Sequence, residues 1–230
     1  FLLLTYFTHQ RDQAHDLLLA EQAKSDELLL NILPQSIARQ LKDGRRSIAE
    51  CIDSASILFA DIAGFTPLSA ELGVERVVDL LNDLHTGFDE IVERFGLEKI
   101  RTIGDGYMAA AGVPKPRPDH AHMVAEAALE MIEFTHELSR AYDFPILLRV
   151  GINSGTVMAG VIGRKKFSYD IWGDPVNVAS RMESHGVSDS IQIAERTYEL
   201  IKNDYVTAPR GLIDIKGKGE MRTWFLIGRR

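Results

Sequence analysis

Glu98-Lys99-Ile100-Arg101-Thr102-Ile103-Gly104-Asp105-Gly106-Tyr107-Met108-Ala109-Ala110-Ala111 sets two β-prone runs on either side of a Gly-Asp-Gly turn. Glycines flanking an aspartate between such runs signal a hairpin, with strands over 99–103 and 107–111. Upstream, Ser54-Ala55-Ser56-Ile57-Leu58-Phe59-Ala60 reads as a strand that ends at Asp61. Val77, Leu80, Leu81, Leu84, Phe88, Ile91, Val92 and Phe95 then recur on one face of a long helix. Downstream, a helix starting at Asp119 would bury Met123, Ala127, Met131, Phe134 and Leu138, and strands follow over 146–152 and 156–162. The order is βαββαβ. It predicts an α+β fold with a ferredoxin-like core, in which helices cover one face of an antiparallel sheet. A third helix near 176–185 and additional C-terminal strands extend that core.

The first 46 residues have a different texture. Ala, Leu, Gln, Glu and Lys dominate, and no glycine precedes Gly44, so residues 8–46 read as helix. Pro34 should end or kink it, leaving a short second helix over 35–41, and Gly44-Arg45-Arg46 marks a boundary. Ala14, Leu17, Leu18, Leu28, Leu29 and Ile32 form a stripe interrupted by Glu21 and Ser25. A stripe this narrow cannot make its own core, so residues 1–46 are expected to be a signalling and dimerisation arm that pairs with a second copy. Residues 47–230 form the other domain. The apolar run Phe1-Leu2-Leu3-Leu4-Thr5-Tyr6-Phe7 is too short to cross a bilayer, which takes about 20 residues. It reads either as a helix start or as the cytoplasmic stub of a membrane helix.

Composition narrows the function classes. Of 230 residues 45% are hydrophobic and 26% charged, as in an ordinary globular chain, and the formal net charge is −7. An acidic balance weighs against wholesale binding to nucleic acid. From Arg210 to Arg230, however, six Lys or Arg face two Asp or Glu, so a small polyanion could be met there. Cys51 is the only cysteine and excludes an intrachain disulfide.

Two aspartates stand where chemistry could be built. Asp61 follows an apolar strand, and Gly64-Phe65-Thr66 comes next, ahead of a helix whose free N–H groups can receive phosphate oxygens. Asp105 sits in the hairpin turn. Either residue alone reads equally as a cap or turn former. In a βαββαβ sheet the first strand lies beside the central hairpin, so the two carboxylates converge at one edge. There they repel unless a cation bridges them. Farther on, Asn177 and Arg181 are four apart on a helix that begins near Pro175, an amide and a planar cationic fork on one face. Lys216-Gly217-Lys218-Gly219 and Arg164-Lys165-Lys166 bring cations into loops.

Four stretches in order resemble the class III nucleotidyl cyclases. They are Phe59 through Thr66, Glu98 through Met108, Tyr169 through Met182, and Ile215-Lys216-Gly217-Lys218-Gly219. Asn31-Ile32-Leu33-Pro34 resembles part of the linker that precedes such domains. The resemblance implies that Asp61, Asp105 and the backbone carbonyl of Ile62 bind two Mg²⁺ or Mn²⁺ ions. It also implies that Asn177 orients the ribose, that Arg181 stabilises the reacting phosphoryl group, and that Lys216 and Lys165 contact phosphates. Gly64, Phe65 and Thr66 would join the substrate contacts.

For the base, Asp170 supplies an acceptor, and Arg101 stands where adenylate cyclases commonly carry lysine. Lys99, two residues away, is expected on the same face of the strand. Guanylate-specific members resemble this motif with Glu at the Arg101 position. Adenine is therefore favoured, which makes ATP the expected substrate and cyclic AMP and pyrophosphate the products. A guanylate cyclase and an inactive nucleotide-binding regulatory domain remain as alternatives. The family draws its metal aspartates from one protomer, and its base-binding pair, Asn, Arg and Lys from the other. This chain holds both sets, which implies a homodimer with two composite sites. The expected location is cytoplasmic, attached to an upstream membrane or sensor domain. None of the seven histidines falls in a motif, and most are expected to be solvated or capping.

Overall fold

The structure, a computed structural model, describes residues 2–30, 32–45, 48–162, 167–215 and 217–230. Internal contacts divide the chain into one unit of residues 1–48 and 161–169 and another of residues 49–160 and 170–230. In the first unit, α1 (Leu2–Leu30) and α2 (Gln35–Lys42) are separated at Pro34, which caps α2. Proline with its fixed φ is suited to that helix-start position. Leu17 and Leu18 of the predicted stripe are exposed, and Ile37 and Ala38 of α2 are buried. No helix among the described residues is long and apolar enough to cross a membrane.

The second unit carries nearly all of an eight-stranded sheet. The predicted hairpin is β2 (Glu98–Ile103) and β3 (Gly106–Ala111), and β3 pairs antiparallel with β1 (Ile48–Ile62). The strand order is β2-β3-β1-β4-β6-β8-β7, with β5 (Tyr169–Trp172) paired to β4 (Leu148–Val161) off that path. Here β6 spans Ser190–Ala194, β7 Tyr205–Ile215 and β8 Gly219–Arg229. The β2-β3-β1-β4 segment is the ferredoxin-like core. Beyond it, β6 runs parallel to β4, so the sheet as a whole is mixed.

One face of this sheet makes the core. Leu58, Ala60 and Ile62 of β1, Tyr107 and Ala109 of β3, and Leu148, Val150 and Ile152 of β4 face two helices. These are α4 (Val74–Arg94), through Leu80, Leu84 and Phe88, and α5 (His120–Tyr142), through Val124, Ala128 and Met131. Phe88 meets Tyr107 edge to face at 5.4 Å, and each such fully buried side chain contributes roughly 1.5–3 kcal/mol. A short helix, α3 (Phe65–Leu72), precedes α4 and starts at Gly64, whose φ of 73° lies in the left-handed region. The predicted helix start at Asp119 holds, but its carboxylate caps nothing; Arg117 takes both its oxygens at 2.7 and 2.8 Å.

Two expectations are corrected. The strands expected over 146–152 and 156–162 are one strand, β4, because Gly155 is not a turn. A Cβ there would lie 2.5 Å from Pro175, and one at Gly151 would lie 2.0 Å from the backbone nitrogen of Glu183. Both glycines instead let α6 (Asp174–Ser184) settle against β4. The second correction concerns His120, which is buried rather than solvated. Its ring nitrogens face the hydroxyls of Ser54 at 2.9 Å and Ser56 at 2.8 Å. Ser56 contacts Ser154 at 2.6 Å, and Ser154 contacts Thr197 at 2.9 Å. Desolvation lowers the imidazole pKa, and every member of the chain has a partner.

Because the atoms opposing a side chain at 151 are backbone, α6 would have to move. Gly151→Ala is expected to cost about 2–3 kcal/mol in a urea titration followed by circular dichroism, with a lower midpoint than the parent.

Candidate active site

Asp61, next to last in β1, lies on the sheet face opposite the core, and Asp105 occupies the β2–β3 turn. The β1–β3 register brings them together. Phe59 stands opposite Met108 and Ala60 opposite Tyr107, so the strand end and the turn share one edge. The backbone N–H of Ile62 donates to Asp105 Oδ2 at 3.1 Å. Burial raises the Asp105 pKa, and the Asp61 charge adds to that rise, while backbone N–H groups and Arg149 oppose it. The two carboxylates therefore stand close enough to feel each other.

Both line a cleft of about 240 Å³ with Phe59, Arg101, Met108, Ser180 and Glu183. Among the described residues no three His, Cys, Asp or Glu side chains are grouped to hold an ion by themselves. Two carboxylates with backbone oxygen nearby suit a hard cation of the Mg²⁺ type, which completes its shell with water and substrate phosphate. Such an ion fits the donors present.

Sequence reasoning missed two residues at this edge. Arg149 of β4 grips Asp61 with both prongs, Nε to Oδ1 at 3.0 Å and Nη2 to Oδ2 at 2.6 Å. Glu183 of α6 lies 3.5 Å from the same Nη2, and its side chain is 12% exposed. Burial, then its hydrogen bond and proximity to Asp61, push Glu183 up to about 8 against the pull of Arg149. The signal was available, because a lone arginine between Leu148 and Val150 in a buried strand needs a carboxylate partner.

The residues expected to bind the base divide. Arg101 Nη1 donates to Asp170 Oδ2 at 2.9 Å, and the Ile171 N–H holds the other oxygen, Oδ1, at 2.8 Å. That donor and acceptor meet. Lys99 does not join them, which corrects the same-face expectation. The β2–β3 register shifts between Lys99 and Arg101, so Lys99 stands opposite Ala109 and Arg101 opposite Met108. Adjacent residues of β3 face opposite sides, and the bulge sends Lys99 to the helix-covered face. There its ammonium donates to Asp89 Oδ2 at 2.7 Å, and Tyr107 donates to Asp89 Oδ1 at 2.6 Å.

Asn177 and Arg181 project into a second cleft of about 490 Å³, lined also by Asp174, Val178, Gly217 and Lys218. Lys218 is paired with Asp174. Neither the Asn177 amide nor the Arg181 guanidinium has a side-chain partner among the described residues. α6 is thus shared: Ser180 borders both clefts, Glu183 faces the first, and Asn177 and Arg181 face the second. Phe65 and Thr66 open α3 a few residues beyond Asp61, but neither they nor Gly64 line either of these clefts. Lys165 and Lys216 lie outside the described residues.

Residues 48–228 match the family model described as the adenylate and guanylate cyclase catalytic domain. An adenylate cyclase of Mycobacterium tuberculosis is 49% identical over 212 residues, covering 92% of this chain and 48% of that protein. Human atrial natriuretic peptide receptor 2 is 42% identical over 233 residues, 99% of this chain and 22% of the receptor. The chain therefore spans about half, or less, of the length of these relatives. Among solved structures, the guanylate cyclase domain from Catenaria anguillulae in complex with GTP superposes with a TM-score of 0.76 at 38% identity, covering 79% of this chain and 100% of that domain. The fold agrees with these likenesses, and the chain belongs to the class III adenylate and guanylate cyclase catalytic-domain family.

Proposed function

We propose that this chain is the catalytic portion of an adenylate cyclase that converts ATP to 3′,5′-cyclic AMP and pyrophosphate as a homodimer. The observation that carries the reading is the division made by α6. The carboxylates line one cleft, and Asn177 and Arg181, which have no side-chain partner among the described residues, line another. The first cleft holds the candidate metal ligands together with Arg101, and the second holds the candidate ribose and phosphate groups. A two-fold pairing of identical chains brings each half against its complement and makes two equivalent sites.

In this reading Asp61, Asp105 and the Ile62 carbonyl hold two Mg²⁺ or Mn²⁺ ions. When bound, these ions lower the pKa of the ribose 3′-hydroxyl and neutralise phosphate charge. Asn177 orients the ribose. Arg181 offers its fork to the α-phosphoryl oxygens as the 3′-oxygen attacks phosphorus in line and pyrophosphate leaves opposite. The proton passes to solvent or to a substrate phosphate. Lys165 and Lys216 take remaining phosphate charge, and the backbone at Gly64, Phe65 and Thr66 receives phosphate oxygens.

Adenine is supported by Arg101 and Asp170, one donor and one acceptor 2.9 Å apart, which match N1 and N6. The 49% identity to an adenylate cyclase points the same way. The guanylate alternative is supported by the likeness to the natriuretic peptide receptor and to the GTP-bound domain. Competing ATP and GTP in one assay decides between them. An excess of cyclic AMP is expected, cyclic GMP as the main product would reverse the base assignment, and tight ATP binding without product would indicate a regulatory domain.

Asp61→Ala or Arg181→Ala alone should lower kcat by on the order of 100-fold or more. Mixing the two variants under conditions that allow subunit exchange should restore one competent site per heterodimer, and no recovery would refute the composite site. Arg101→Met should raise the KM for ATP roughly tenfold, whereas Lys99→Met, which removes an ion pair with Asp89 and a cation–π contact with Tyr107 on the helix-covered face, should leave it within about twofold. Truncation of residues 1–46 should lower activity and make it more dependent on protein concentration. Sedimentation across a dilution series reads this directly, and an unchanged dimer constant would count against a dimerising arm.

A further inference from the structure

We propose that Arg210 and Asn153 are positioning residues that hold the two ends of α6 and so fix where Asn177 and Arg181 point, a role that rests on the composite-site reading above. α6 has no side-chain cap at its start, where Gly173 stands. Neither Asn177 nor Arg181 has a side-chain partner among the described residues to steady it. Their aim therefore depends on where the helix backbone lies.

At the far end, Arg210 Nη1 donates to the carbonyl of His185, the residue after α6, at 2.6 Å. The N–H of His185 donates to the carbonyl of Arg181 at 3.1 Å, so the tethered turn is the one that begins at Arg181. A cation on the last carbonyls also meets the negative end of the helix dipole. A β-bulge puts Arg210 there. The β7–β8 register shifts between Pro209, opposite Trp224, and Gly211, opposite Thr223, so Arg210 has no residue across from it in β8. Gly211 takes a φ of 109°, which favours glycine, and the Arg210 guanidinium lies 5.6 Å from the centre of the Phe225 ring. Bulges of this kind re-aim a side chain. At the near end, the Asn153 amide of β4 is only 6% exposed and donates through Nδ2 to the carbonyl of Pro175 at 3.1 Å, two residues before Asn177. Gly151 and Gly155 set how near α6 comes to β4; the two hydrogen bonds set its slide and rotation. A misplacement of about 1 Å in a group that meets the transition state can cost on the order of 100-fold in rate.

The intact 230-residue chain carrying Arg210→Met loses the donor and keeps an apolar stem beside Phe225. Assayed well below its melting point, it is expected to lose about tenfold in kcat with the KM for ATP within about twofold, because Arg181 acts on the reacting phosphoryl group. Arg210→Lys, which retains the charge and a donor, should relieve most of that loss. Mixed with Asp61→Ala, Arg210→Met should gain activity severalfold, since one site per heterodimer then joins an intact carboxylate pair to an intact α6. Mixed with Arg181→Ala, it should gain nothing. Parental kcat in Arg210→Met overturns the proposal. So does a loss that Arg210→Lys fails to relieve, and so does a loss that neither mixture recovers, or only the one with Arg181→Ala, because a merely structural contact does not sort by half-site. Should Arg210→Met fail to fold, Asn153→Ser, too short to reach Pro175, is run in the same mixtures, with the same pattern expected and the same outcomes against it. Asp61→Ala mixed with Arg181→Ala is the control for the underlying reading. If that pair recovers nothing, the composite site fails, and the kcat loss with its relief by lysine alone decides the positioning role.

Discussion

Everything proposed for this site depends on how closely α6 lies against β4. The strand gives up side chains at Gly151 and Gly155, and in exchange the backbone of α6 and the ring of Pro175 occupy the space where Cβ atoms would stand. Glycine is ordinarily a weak choice inside a strand, since it packs nothing and loses more chain entropy on ordering. Here its missing side chain is the function. The close approach sets Glu183 beside Arg149 on one flank of the helix and leaves Asn177 and Arg181 turned outward on the other.

The charge distribution follows the same geometry. Around β1 and the hairpin turn, carboxyl groups crowd together with the Arg149 guanidinium among them, and burial raises the pKa of both Asp105 and Glu183. Such an edge favours anything that adds positive charge. In the other cleft the exposed groups are an amide and an arginine with no side-chain partner among the described residues, beside a lysine paired to Asp174. That cleft favours an anion. A metal–triphosphate carries both charges, and pairing two copies is the simplest way to present both clefts to it.

Much of the architecture was legible in the chain. Period-two and helical patterns placed the βαββαβ order, the break at Pro34 and the hairpin turn at Asp105, because each is a local signal with a local cause. What failed were inferences that needed neighbours. β4 reads as two strands because glycine is a turn former in isolation, and only the packing of Pro175 reveals Gly155 as a contact residue. Lys99 and Arg101 belong on one face by alternation, yet a one-residue bulge separates them. The bulge lets Lys99 reach Asp89 on α4 while Arg101 reaches Asp170 on β5. Likewise His120 resembles any helix-start histidine until Ser54 and Ser56 of β1 are seen on its two ring nitrogens.

The sequence by itself determined the family, the order of the elements and the identity of the groups that could meet a metal nucleotide. These are properties of residue type and spacing, which survive without coordinates. Only the tertiary structure decided which groups meet, and it added two that the motifs do not name. Arg149 comes from a strand 88 positions beyond Asp61, and Glu183 from a helix farther still. No spacing rule links residues so far apart. Their partnership arises because β1 and β4 are neighbours in the sheet and α6 folds back over them, and a buried charge must then be matched by whatever the fold has placed beside it.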